Sequence, residues 1–136
     1  MNYIITAAGL GTRFLKKGIK PPKPLIKVKG IELLLWSINS FEFNSNDNLY
    51  IVSLKADKVK KILEKKISLL YPNINVFWDE LDESLNGQLL TSLRAIDFFC
   101  IQGEILIHNC DTFYKINNNN LNSLKNKDYF GIIPYF

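Results

Sequence analysis

Apolar positions along this chain keep two rhythms. Residues 2–8, NYIITAA, form a nearly unbroken apolar run rich in isoleucine, the pattern of a strand buried on both faces. A second buried strand is read at 48–54 (NLYIVSL), a third strand at 73–79 (NINVFWD) and a fourth, ending in polar residues, at 103–111 (GEILIHNCD). Between them the period changes. The long apolar stretch 31–43, IELLLWSINSFEF, predicts a helix packed on a sheet. Residues 56–71 place Val59, Ile62, Leu63, Ile67 and Leu70 on one helical stripe, and Pro72 stops that helix. Residues 86–99, NGQLLTSLRAIDFF, predict a helix with Leu89, Leu93 and Ile96 turned inward. The acidic DELDES at 79–84 reads as a loop, 117–127 as a polar turn, and 128–136 as a last strand.

Strand and helix alternate at the spacing of βαβ units. The expected fold is therefore α/β: a doubly wound, mostly parallel sheet with helices on both faces, in a single domain over 1–136. No internal repeat is visible, and the asparagine run at 117–120 reads as surface loop. A final apolar strand leaves an edge to be covered, so a truncated chain or self-association through that edge is expected.

Composition narrows the function classes. At 136 residues, 47% hydrophobic and 22% charged, the chain has the make-up of a soluble globular domain large enough for a real core. The net charge of +4 comes from scattered lysines, many of them on the solvated face of KADKVKKILEKK, without interleaved aromatics. A nucleic-acid partner is not expected from that pattern, whereas small anionic substrates fit it. Cys100 and Cys110 have no metal-type spacing and read as reduced and buried, which suits the cytoplasm. The first apolar run is too short for a signal peptide, and no segment is long enough to cross a bilayer, so no membrane partner is expected.

The candidate chemistry starts where the first strand ends, in AAGLGTRFLKKGIKPPKPL at 7–25. Ligands of open α/β sheets lie beyond the carboxyl ends of strands. There Ala7, Ala8, Gly9 and Gly11 put no bulk between backbone N–H groups and an anion. Thr12 adds a hydroxyl and Arg13 a rigid fork for phosphate oxygens. Lys23 stands between Pro22 and Pro24, which stiffen its tether, while Lys16, Lys17 and Lys20 add a softer positive field. A dinucleotide fingerprint would need glycine where Phe14 stands and a helix opening at once, and a Walker A loop would need Gly-Lys-Ser/Thr. The plainer alternative is a glycine turn followed by an irregular basic loop.

AAGLGTRF followed by KPPKPLIKVKGIELL resembles the signature of the sugar-nucleotide pyrophosphorylase, or nucleotidyltransferase, family. PKPLIKV is similar to the branch that serves capsule and surface-polysaccharide synthesis and includes cytidylyltransferases. The resemblance implies a Rossmann-like, GT-A-like fold in which Ala7, Ala8, Gly9, Leu10, Gly11 and Thr12 bind the nucleotide and Arg13 and Lys23 are catalytic. It also implies that Gly87 lets the nucleobase lie flat with Gln88 beside it; the alternative there is an ordinary helix start capped by Asn86. Asp111 matches the aspartate that binds Mg²⁺ at the end of an apolar strand, with a turn-capping aspartate as the alternative. Asp79, Glu80, Asp82 and Glu83 read mainly as a solvated loop, although a carboxylate there could accept from the amine of cytosine, which favours CTP. His108 reads as structural and Cys110 as packing.

The implied reaction moves a nucleoside monophosphate from a nucleoside triphosphate to a phosphorylated small acceptor such as a sugar phosphate, with release of pyrophosphate. Family members continue well past this length, and their later part supplies a second metal-binding aspartate and the acceptor site. Two rival classes follow: a nucleotide-binding domain that no longer catalyses, and a basic nucleic-acid module, which would show steeply salt-dependent binding.

Overall fold

The computed structural model describes residues 1–115. The expected turn at 117–127 and strand at 128–136, with any association through its edge, lie outside the described residues.

Four parallel strands build the main sheet: β1 (Asn2–Ala7), β4 (Asn48–Leu54), β5 (Asn75–Leu81) and β6 (Ile105–Asn109), in the order β5-β4-β1-β6. β1 lies inside, in register with β4 from Asn2↔Asn48 to Ala7↔Ser53 and with β6 from Asn2↔Ile105 to Thr6↔Asn109. Burial on both sides explains its unbroken apolar run. Tyr3, Ile5 and Ala7 face α2 (Leu33–Ile38) and α3 (Val59–Leu70). Ile4 and Ala8 face the opposite way, into a core shared with Tyr50, Val52 and Ala95 of α4 (Gln88–Phe99). Helices thus cover both faces, as the alternation of patterns predicts.

At the amino ends of the strands three asparagines form a ladder. Asn48 donates to the Asn2 side-chain oxygen at 3.0 Å, and Asn75 donates to that of Asn48 at 3.1 Å. Asn2 in turn donates to the carbonyls of Gln102 and Glu104 at 2.9 and 3.2 Å, reaching the segment that leads into β6.

The structure corrects several boundaries. The apolar stretch 31–43 is not one helix. Its first residues form β3 (Ile31–Glu32), which pairs antiparallel with β2 (Lys27–Val28) across a tight turn at Lys29 and Gly30. Both turn residues have left-handed φ, 52° and 79°, as a type I′ hairpin demands. In α3 only Val59, Leu63 and Ile67 are buried, whereas Ile62 and Leu70 are more than half exposed. In α4 the buried positions are Thr91, Ser92 and Ala95, and Leu89 and Leu93 face outward. Small residues let that helix lie close to the sheet. Their hydroxyls stay satisfied inside the helix, Thr91 donating to the Gly87 carbonyl at 3.0 Å and Ser92 to that of Gln88 at 2.9 Å. β5 runs on to Leu81, so the acidic segment begins in a strand, and Asp79 is buried rather than solvated. Cys110 is buried as expected, but Cys100 is exposed at the left-handed end of α4.

Candidate functional site

The strand order sets where a site can form. From β1 the chain moves outward through β4 to β5, then α4 carries it back across to β6 on the other flank of β1. β1 and β6 therefore flank the point where the winding reverses, and loops leaving their carboxyl ends border one crevice. Ala7–Thr12 leave β1 there, and Asp111 follows β6 there.

Gly9 and Leu10 are exposed just past the buried Ala8. Gly11 is left-handed, at φ 60°, and a Cβ on it would stand 3.1 Å from Cβ of Lys23. Both facts favour glycine, since the turn needs positive φ and the lysine segment packs against it. Its carbonyl then accepts from Phe14 and Leu15 N–H at 2.9 and 3.2 Å, opening the five-residue helix α1 (Thr12–Lys16). A short helix therefore stands where the plainer alternative expects an irregular loop. It ends before Pro21, as the prolines require. Thr12 and Arg13 sit on α1 and are solvent-exposed.

Lys23 starts a single 3₁₀ turn, Lys23–Leu25, whose Pro24 is buried. Leu25 N–H donates to the Pro22 carbonyl at 2.8 Å and Ile26 N–H to the Lys23 carbonyl at 3.3 Å. The lysine thus rides on an anchored turn. Its Nζ lies 2.9 Å from Oδ2 of Asp111, with the two side chains 22% and 33% exposed. Residues 88 positions apart in the sequence meet at the crevice between β1 and β6.

Asp111 is held by a packed strand end. Ser37 of α2 donates to the Asn109 carbonyl at 2.8 Å, and Thr6 of β1 donates to that of His108 at 3.3 Å. Cys110 is buried, and burial pushes its thiol up to about 12, so it is a neutral packing group. His108, the sole histidine of the sequence, is 4% exposed. Burial lowers its pKa, against the opposing effects of the Thr112 carbonyl and the Asp111 charge. Its Nε2 lies 3.0 Å from the Thr112 carbonyl, which can only accept, so Nε2 carries the proton of a neutral ring. This histidine braces the segment after β6.

Beside the glycine turn lies a depression of about 130 Å³ lined by Gly9, Leu10, Gly11, Lys20, Lys23 and Asp57. Asp57, in the turn after β4, has its carboxyl pushed up by burial. The sequence reading missed it; its signal is a carboxylate just past another strand's carboxyl end.

Gly87 and Gln88 are exposed on the rim to which every β-to-α connection of a parallel sheet leads. They share this rim with the glycine turn by topology rather than by contact. Gly87 has φ 100° and is itself the residue before the helix, without a side-chain cap bond, so Asn86 does not cap α4. Of the acidic segment, Asp79 is buried against Arg94 at 3.2 Å and Asp82 pairs with Lys55 at 3.5 Å. Asp79 is therefore committed within the protein.

The donor set can be tested against a divalent cation. Asp111 offers hard carboxylate oxygens at a strand end, and an ammonium already stands on one of them. Among the described residues no group of three or more His, Cys, Asp or Glu could hold a metal. A Mg²⁺ that keeps waters and takes substrate phosphates needs only one or two carboxylates from the protein, and Asp111 could supply one.

No family model matches the chain. A 110-residue stretch is 29% identical to the bifunctional protein GlmU of Thermoanaerobacter pseudethanolicus, covering 80% of this chain and 21% of that protein. Among solved structures, a nucleoside-diphosphate-sugar pyrophosphorylase from Vibrio cholerae matches with a TM-score of 0.67 at 21% identity, covering 90% of this chain and 53% of that one. The inositol-1-phosphate CTP transferase of T. maritima matches with a TM-score of 0.60 at 16% identity, covering 82% and 44%. A nucleotidyl transferase from Methanothermobacter matches with a TM-score of 0.56 at 18% identity, covering 81% and 50%. At these identities the likeness is one of fold: a parallel sheet flanked by helices, in the Rossmann-like form of the nucleotidyltransferase structures. The chain spans about half the length of those structures and about a fifth of the curated relative. Among the described residues no helix is long and apolar enough to cross a membrane.

Proposed function

We propose that this chain is the nucleotide-binding part of a Mg²⁺-dependent nucleotidyltransferase. It would transfer a nucleoside monophosphate, CMP from CTP by preference, to a sugar phosphate or similar acceptor for surface-polysaccharide synthesis. One observation carries the reading: a lysine on a proline-stiffened turn and a strand-end carboxylate meet at the reversal point of the sheet, beside a glycine turn with open space at Gly9.

The attacking group is a phosphate oxygen of the acceptor, already ionised near neutral pH, so no strong base is required. The candidate residues agree, since His108 is neutral and spends its N–H on a backbone carbonyl. Catalysis then rests on positioning and charge neutralisation. The amides of Ala7, Ala8, Gly9, Leu10, Gly11 and Thr12, with Arg13, hold the departing phosphates. Lys23 stabilises charge that builds at the α-phosphate. Asp111 would hold Mg²⁺, which supplies charge neutralisation on phosphate oxygens when bound. Gly87 and Gln88 take the base.

Calorimetry of the chain with each common nucleoside triphosphate and magnesium, followed by pyrophosphate release with hexose 1-phosphates, tests the reading. The expected result is saturable binding, strongest for CTP. No heat with any nucleotide would refute it. A second reading is a domain that binds nucleotide without turnover. Binding unaccompanied by pyrophosphate release selects that alternative.

A further inference from the structure

The contact between Lys23 and Asp111 has a consequence for how the site fills. Resting on the nucleotide-site reading above, we propose that Lys23 is a placeholder cation, so that a divalent ion and the lysine exclude one another on Asp111. At 2.9 Å, Nζ and Oδ2 form a close ion pair, so the ammonium occupies the space beside Oδ2 that a cation on this oxygen would take. Both side chains keep some solvent access, 22% and 33%, so the pair can open without leaving a buried charge unmatched. The turn that carries Lys23 is anchored through Pro24 and the Leu25-to-Pro22 hydrogen bond. The exchange therefore moves a side chain and leaves the backbone in place.

The glycine turn gives the displaced ammonium somewhere to go. Gly11 packs directly on the Lys23 side chain, and the depression lined by Gly9, Gly11 and Lys20 opens beside it. A phosphate lying there takes over Lys23 while freeing Asp111. Free divalent ion is thus disfavoured in the empty site and favoured once a phosphate is present. Binding of the two is coupled through one lysine.

The test titrates Mn²⁺ into the chain without nucleotide, read by electron paramagnetic resonance of the free ion. The set is the unsubstituted protein, Lys23→Gln, Lys23→Arg and Asp111→Asn. Loss of a partly exposed ion pair corresponds to about fivefold in an equilibrium. Lys23→Gln is expected to bind Mn²⁺ about fivefold more tightly, Lys23→Arg to stay near the unsubstituted protein, and Asp111→Asn to lose the site. Unchanged or weaker binding by Lys23→Gln overturns the proposal. A readout on the unsubstituted protein guards against a variant that fails to fold. The ¹⁵Nζ signal of Lys23 should shift as Mg²⁺ is added, and a signal unmoved at saturating magnesium overturns the exchange. Neither measurement contains nucleotide. Failure of nucleotide binding in calorimetry sinks the proposed function alone, and a failed manganese series sinks the exchange alone.

Discussion

Two lysine–carboxylate contacts in this molecule look alike on paper and differ in kind. Lys66 on α3 lies 2.8 Å from Oε2 of Glu32, and Lys27 on β2 lies 3.6 Å from Oε1 of the same side chain, which is only 8% exposed. Burial alone would raise the Glu32 pKa, but the Lys66 hydrogen bond and the charges of Lys66 and Lys27 together lower it. Both oxygens are matched, and the pair ties the β2–β3 hairpin to α3. Asp111, 33% exposed, has one oxygen on Lys23. The lesson is that desolvation and the number of partners, more than distance, separate a contact that holds the fold from one that can be exchanged.

Substitutions should pull the two contacts apart. Lys23→Ala or Asp111→Ala in the intact enzyme should lower the rate of nucleotidyl transfer a hundredfold or more, about 3 kcal/mol of barrier, with the melting temperature unchanged. Equal turnover in either variant removes the substituted residue from the mechanism. Glu32→Ala should do the reverse: a loss of about 2 kcal/mol in urea unfolding, with nucleotide affinity measured by calorimetry unaltered. Because the folded pKa of Glu32 is depressed, its stabilisation is present above the ordinary value of 4.5 and is lost as pH falls through the folded value. A pH series of urea midpoints should show that loss in the unsubstituted protein and not in Glu32→Ala. Gly11→Ala bridges the two cases. The left-handed φ costs about 1–2 kcal/mol, and the new methyl presses on Lys23, so stability and nucleotide affinity should fall together.

The smallest effect belongs to His108. Its folded pKa is lowered, so the unfolded chain takes up the proton first. Stability should decline as pH drops from about 6.5 toward the folded value. His108→Gln keeps an N–H donor without the titration and should flatten that acid-side slope in thermal melts between pH 5 and 7. An unchanged slope would assign it to other groups.

β1 and β4 were legible because burial on both faces leaves an unambiguous apolar run, and strand ends in a parallel sheet point to one rim. That logic places Gly9, Lys23 and Asp111 around one crevice before any coordinates, although not the 2.9 Å contact itself. The helices were less legible. In α4 a leucine stripe competes with a stripe of Thr91, Ser92 and Ala95, and hydropathy selects the leucines. Close packing on the sheet selects the smaller residues, whose hydroxyls are satisfied locally. The hairpin at Lys29–Gly30 was hidden within an apolar stretch because two-residue strands are too short to show a period. Asp79 read as a loop residue because the pairing of its strand with β4, and its partner Arg94, are set by tertiary contacts.

The asparagine ladder lies at the far end of the sheet from the crevice, yet it acts on it. Parallel strands without a hairpin between them have no turn to set their phase, and sliding one by a single residue would swap its inner and outer faces. Linked amides on Asn2, Asn48 and Asn75 serve as a common zero mark from which each strand is counted. Asn2 also holds the Gln102 and Glu104 carbonyls, so β6, which leads to Asp111, is counted from the same base as β1, which leads to Gly9. Alignment of the rim that carries Gly9 and Asp111 is thereby fixed at the opposite end of the sheet.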